Sequence, residues 1–174
     1  MKMTIEEMMQ VESAKAELEK LALQVSAKEA AAKQAAVNEA AKEFKGYFAA
    51  KKFEITGHAW NIVATYGSIV FKLAIKNSTS GGLDCLTMHF PEMTKMAPLD
   101  VRLEAKPDKN AMAAGPAAAN QSPLAEIRAQ MDKMLARLNA PAREWFFYSD
   151  VMERGVIQRK EYATFTRFLN EECP

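Results

Sequence analysis

The sequence predicts an α+β fold with a long N-terminal helix, a four-stranded antiparallel β-meander and C-terminal helices. Three observations carry that expectation. From Thr4 to about Ala50 there is no Pro, and no Gly before Gly46, and the stretch is dominated by Ala, Glu, Lys, Leu and Met, the strongest helix formers. After Phe53 the apolar residues change to a period of two, which is the strand pattern. After Pro123 the helical period returns.

In the first stretch Val11, Ala14, Leu18, Leu21, Val25, Ala32 and Ala35 recur at spacings of three and four, and Lys28 interrupts them. That is the apolar seam of a coiled coil or helical hairpin. Ile5, Met8 and Met9 form a separate apolar patch ahead of it, and the later part of the seam turns to alanine. At 1.5 Å per residue such a helix runs roughly 60–70 Å, longer than one compact domain of this size. Its seam must therefore be buried by the chain's own later helices or by a second copy. A homodimer through Val11, Leu18, Leu21 and Val25 is the expectation.

Four strands follow. In the first, Trp60, Ile62 and Ala64 alternate with Asn61, Val63 and Thr65, and Tyr66-Gly67 reads as a tight turn. In the second, Ile69, Phe71, Leu73 and Ile75 share a face opposite Lys72 and Lys76. The third runs from about Leu83 to Phe90 with Leu86, Met88 and Phe90 together. The fourth alternates Leu99, Val101 and Leu103 with Asp100, Arg102 and Glu104. Short loops between consecutive strands make an antiparallel meander with one apolar face to be covered.

Pro107 to Ser122 is poor in large apolar residues and reads as a mobile linker. Ser122-Pro123 is a helix start, a capping Ser followed by Pro in the first turn. The helix it opens carries Leu124, Ile127, Met131, Met134, Leu135 and Leu138 on one face, a stripe suited to packing on the first helix. Two more helices are expected, about Pro141 to Arg154 and about Gln158 to Asn170. The corresponding segments are 1–52 (helical arm), 53–106 (sheet), 107–122 (linker) and 123–174 (C-terminal helices).

Lys plus Arg number 23 and Asp plus Glu 22, so no global field draws the chain to nucleic acid or to an anionic membrane. The hydrophobic content of 49% excludes wholesale disorder. The N-terminus does not resemble a signal peptide, and the longest uncharged run, Ile55 to Phe71, is broken by Gly57, His58, Asn61 and Gly67, so no membrane span is expected. A cytoplasmic location is the default expectation. Two Cys far apart, Cys85 and Cys173, make no disulfide framework.

Chemistry-bearing motifs are scarce. Cys85 and His89 share a strand face but stand about 13 Å apart at ~3.3 Å per residue, too far for a nucleophile and its base. Zinc would want two closely spaced ligand pairs, which the sequence lacks. Ser78-Thr79-Ser80-Gly81-Gly82 has no Lys and opens no helix, so it is a loop and not a phosphate cradle. No catalytic, cofactor-binding or metal-ligating residue is assigned, and no cofactor is expected.

Trp145-Phe146-Phe147-Tyr148 is the densest aromatic cluster, and on a helix at least one of these rings must face outward. With Arg154, Arg159 and Arg167 nearby, Trp145 and Tyr148 are candidate partner-binding residues, because Trp, Tyr and Arg dominate interface energetics. The expected function is a non-enzymatic protein-interaction protein, an inhibitor or adaptor acting on a larger macromolecular machine, of the kind phages and other mobile elements use. The alternative is a dimeric nucleic-acid-binding protein using Lys15, Lys20, Lys28 and Lys33 with the C-terminal Arg residues.

Overall fold

A computed structural model describes residues 4–58, 60–76, 85–106, 122–142, 144–153 and 156–173. In chain order the elements are α1 (Ile5–Ala50), β1 (Glu54–His58), β2 (Asn61–Tyr66), β3 (Ile69–Lys76), β4 (Cys85–His89), β5 (Leu99–Ala105), α2 (Pro123–Asn139), β6 (Trp145–Glu153), β7 (Val156–Tyr162) and α3 (Phe165–Glu172). Two compact units result. One takes Met1–Ala32 and Pro107–Arg143, the other Lys33–Lys106 and Glu144–Pro174.

Both ends of α1 are set by local chemistry. At its start the Thr4 hydroxyl accepts from the Glu7 N–H at 3.2 Å while the Glu7 carboxylate accepts from the Thr4 N–H at 2.8 Å, a reciprocal capping box. At its end Lys52 takes a left-handed φ of 66°. The Phe53 N–H bonds the Phe48 carbonyl and the Lys52 N–H bonds that of Ala49, which is the Schellman pattern. The Phe48 and Phe53 rings, 5.2 Å apart, supply its apolar contact.

In the first unit, Val11, Ala14, Leu18 and Leu21 are half-buried and Val25 is 5% exposed. On α2, Leu124, Ile127, Met131, Met134 and Leu138 are half-buried in the same alternation of three and four. The end of α2 is held to α1 by Lys28, whose ammonium donates to the Leu138 carbonyl at 2.7 Å and to that of Ala140. Arg137 adds a 3.0 Å ion pair with Glu29. The residue that interrupts the seam in the sequence is thus the one that meets the unsatisfied carbonyls and negative dipole end of the second helix. As expected, Ser122 caps α2, its hydroxyl accepting from the Ala125 N–H at 3.3 Å, with Pro123 in the first turn.

Among the described residues the second unit is a seven-stranded antiparallel sheet in sequence order, β1 to β7, with the later part of α1 and the apolar face of α3 contributing to its core. This corrects the expectation of four strands. The four that were expected are β2 to β5, and β1, β6 and β7 are additional. The helices expected over Pro141 to Arg154 and Gln158 to Asn170 are instead β6, β7 and the short α3. The reason lies in the side chains. Trp, Phe, Tyr, Val and Ile fit a pleated, half-buried surface better than a helix. Alternation also places Trp145 and Phe147 on one face and Phe146 and Tyr148 on the other, which removes the crowding four rings would suffer on one helical turn.

One face of the sheet is dry. Ile62, Leu73, Leu86, Met88, Val101 and Leu103 are fully buried there with Phe44 and Phe48 of α1 and Phe165, Phe168 and Leu169 of α3. Glu43 of α1 accepts from the Thr166 N–H, capping α3 alongside the Thr164 hydroxyl. The linker expected over Pro107 to Ser122 lies, apart from Ser122, outside the described residues. Among the described residues no helix is long and apolar enough to cross a membrane.

Candidate interaction surface

The opposite face of β5, β6 and β7 carries alternate side chains that take no part in the core. β5 presents Asp100, Arg102 and Glu104, β6 presents Phe146, Tyr148 and Asp150, and β7 presents Arg159 and Glu161. The pairing sets Arg102 beside Tyr148 and Tyr148 beside Glu161, with Asp150 beside Arg159.

Arg159 is the hub. Its guanidinium lies 3.9 Å from the centre of the Tyr148 ring and 5.7 Å from that of Phe146. It reaches across β6 to bond Glu104, and its Nε stands 3.3 Å from Glu161. The bond to Glu104 raises the Arg159 pKa above its ordinary value, so the charge is permanent. Arg102 pairs with Asp150 at 3.7 Å. Tyr148 is buried beneath these groups, whereas Arg102, Asp150, Arg159 and Glu161 remain exposed. The arrangement offers a cation stacked on rings and two carboxylates within a few ångströms. Such a mixed patch can take up polar and aromatic groups of another macromolecule.

The structure brings together two of the five candidate partner-binding residues, Tyr148 and Arg159. Trp145 lies half-buried on the opposite, core side of the sheet. Its indole N–H has no hydrogen-bond partner among the described residues. Arg167 lies on α3 and pairs with Glu171 at 2.8 Å. Arg154 lies outside the described residues. Glu104 and Glu161 join the cluster, with Phe146 from the aromatic run, although none of the three is among the candidate partner-binding residues. The alternations Arg102-x-Glu104 and Arg159-x-Glu161 were the available signal, since residues two apart share a strand face.

Of the self-association residues, Val25 is buried within the single chain, and Val11, Leu18 and Leu21 are half-buried in the unit that contains α2. His58 is exposed on β1, three strands from β4, so at least about 14 Å separates it from His89 and Cys85 at ~4.8 Å per strand. Among the described residues no group of three or more His, Cys, Asp or Glu could hold a metal ion.

A second polar group lies on the core side. The Tyr162 hydroxyl donates to Glu172 at 2.7 Å and lies 3.5 Å from the Ser149 hydroxyl, and Lys160 bonds the same Glu172 oxygen at 3.3 Å. Ser149 and Tyr162 are fully buried, so this network ties α3 to β6 and β7 and is closed to a substrate. Burial pushes the Tyr162 phenol up to about 12 and the Cys173 thiol up to about 12 as well. No protein-family model, no curated protein and no solved structure matches this chain significantly.

Proposed function

We propose that this chain is a non-enzymatic interaction protein that engages another protein through the exposed face of β5 to β7, acting as an inhibitor or adaptor of a larger assembly, in the cytoplasm. The observation that carries this reading is the Arg159 cluster. An exposed guanidinium stacked on Tyr148 and Phe146 makes no contribution to the dry core, yet the sequence spends aromatic residues on it. Arg and Tyr in such a setting are the residue types that dominate protein interfaces.

The nucleic-acid reading is less well supported, because several of its cations have partners in the chain. Lys28 is engaged by α2 carbonyls, Lys15 stands 3.6 Å from Glu12, and Arg159 and Arg167 hold carboxylates. Phosphate recognition draws on a basic surplus.

The test is affinity capture from the source cell with wild-type protein and with Arg159→Ala and Tyr148→Ala, each checked for an intact fold by circular dichroism. A partner retained by wild type and lost with both variants supports the reading. A partner held equally by all three refutes this surface. Retention on heparin or DNA that weakens steeply from low to high salt supports the nucleic-acid alternative.

A further inference from the structure

We propose that β7 is a self-association edge, where a second copy of this chain pairs antiparallel and continues the sheet across a two-fold axis. The inference shares Arg159 and Glu161 with the partner surface, but it starts from the strand edge, which that surface does not use. β1 and β7 are the two ends of the strand order, so among the described residues each leaves one side of its backbone without a strand neighbour in the sheet. Such an edge is a template for pairing unless it is blunted.

The two edges differ. β1 has five residues and contains Gly57 at φ 98°, where an added Cβ would sit 2.1 Å from the Asn61 carbonyl oxygen. A positive φ departs from the extended backbone that another strand needs. β7 has seven residues, with no Pro, Gly or positive φ among them. It also exposes Val156 at 60% and Ile157 at 68%.

Charge then selects the register. A two-fold axis perpendicular to a sheet sets one residue against its own copy, because only then do facing side chains share a face. Centring on Arg159 or on Glu161 opposes like charges on the exposed face. Centring on Gln158 sets Ile157 against Arg159. Centring on Lys160 sets Arg159 against Glu161 of the second copy, twice, and Gln158 against Tyr162. The two facing Lys160 ammonium groups are then each accompanied by their own Glu172, 3.3 Å away. This is the register with charge complementarity, and it identifies a second copy as the occupant.

Sedimentation equilibrium on the full chain tests the proposal. Wild type should be dimeric at high micromolar concentration. Glu161→Arg, which opposes Arg to Arg at two positions, should weaken the dimer about tenfold or more. In a Cys85→Ala, Cys173→Ala background, mild oxidation of Lys160→Cys should give a covalent dimer, because facing Cβ atoms in this register lie within disulfide reach. Gln158→Cys, well off the axis, should not. A monomeric wild type overturns the proposal. So does a dimer indifferent to Glu161→Arg, or one dissolved by Leu18→Glu with Leu21→Glu instead, which would place the interface on the α1 seam.

Discussion

The single helix α1 is buried in two different ways along its length. Between Val11 and Val25 the seam residues Val11, Ala14, Leu18 and Leu21 are half-buried, Leu23 is exposed, and Val25 alone falls below a tenth exposed. Between Val37 and Phe48 its buried positions, Val37, Ala40, Phe44 and Phe48, are almost completely removed from water. One stretch belongs with another helix, the other with a broad sheet and α3. A lone helix covers only a stripe of its neighbour, whereas a sheet backed by a second helix encloses large rings. Stability should therefore concentrate in the sheet unit, with the helix pair held by a narrow seam and a few polar contacts.

The largest expected effect breaks or upholds that contrast directly. Phe48 packs against Phe44, Phe53 and Phe71 with ring centres 4.6–5.2 Å apart, so Phe48→Ala should cost roughly 3–5 kcal/mol in urea unfolding. Leu18→Ala, at a half-buried site, should cost about 1–2 kcal/mol, in proportion to the smaller area it hides. Equal losses at the two sites would dissolve the distinction between the regions.

A second test probes how dry the sheet unit is. The Tyr162 phenol is raised from 10 to about 12, by burial first and then by its bond with Glu172. The folded state therefore holds this proton more tightly than the unfolded chain does. Its contribution to stability is complete below pH 10 and is lost as pH rises from 10 through 12. Denaturation midpoints should fall over that window in wild type more steeply than in Tyr162→Phe. Matching slopes would show that water reaches the hydroxyl.

Lys28→Met sharpens the other side. It keeps an apolar stem in the seam but removes the cation from the α2 carbonyls, and should cost about 1 kcal/mol. Amide exchange should accelerate in the last turn of α2 while β2 to β5 stay protected. Uniform acceleration across the chain would mean that the two regions unfold as one. The smallest effect concerns Cys173, whose thiol burial pushes up to about 12. In a Cys85→Ser background, Ellman's reagent at pH 8 should react slowly with the native protein and at once in denaturant. Rapid native reaction would show that α3 opens readily.

Much of this architecture was legible from residues within a turn or two of one another. Propensity over Thr4 to Ala50, the Ser122-Pro123 start and the period-two runs over 60–104 each point to the element that forms there. Where β6 and β7 lie, the local reading failed, although two aromatic and β-branched runs separated by Arg154-Gly155 were available as a strand signal. β6 is held as a strand by pairing with β5, more than forty residues earlier in the chain for most partners, as Arg102 with Tyr148 shows, and β7 by pairing with β6 in turn.

The candidate surface divides the same way. Tyr148 and Arg159 could be chosen by residue type alone, because Tyr and Arg are the chemistry of interfaces. That they stack, that Glu104 joins them from 55 residues away, and that Trp145 turns to the core instead, follows from strand register. Lys28 makes the point once more. In the sequence it is a break in an apolar seam, and only the approach of Leu138, 110 residues later, turns it into the cation at a helix end. Intrinsic backbone preference and local caps are properties of neighbouring residues, so the sequence by itself determined the long helix, its ends and the alternating strands. Which face is buried, and which charge meets which carbonyl, depends on groups brought together across the chain, so only the tertiary structure decided them.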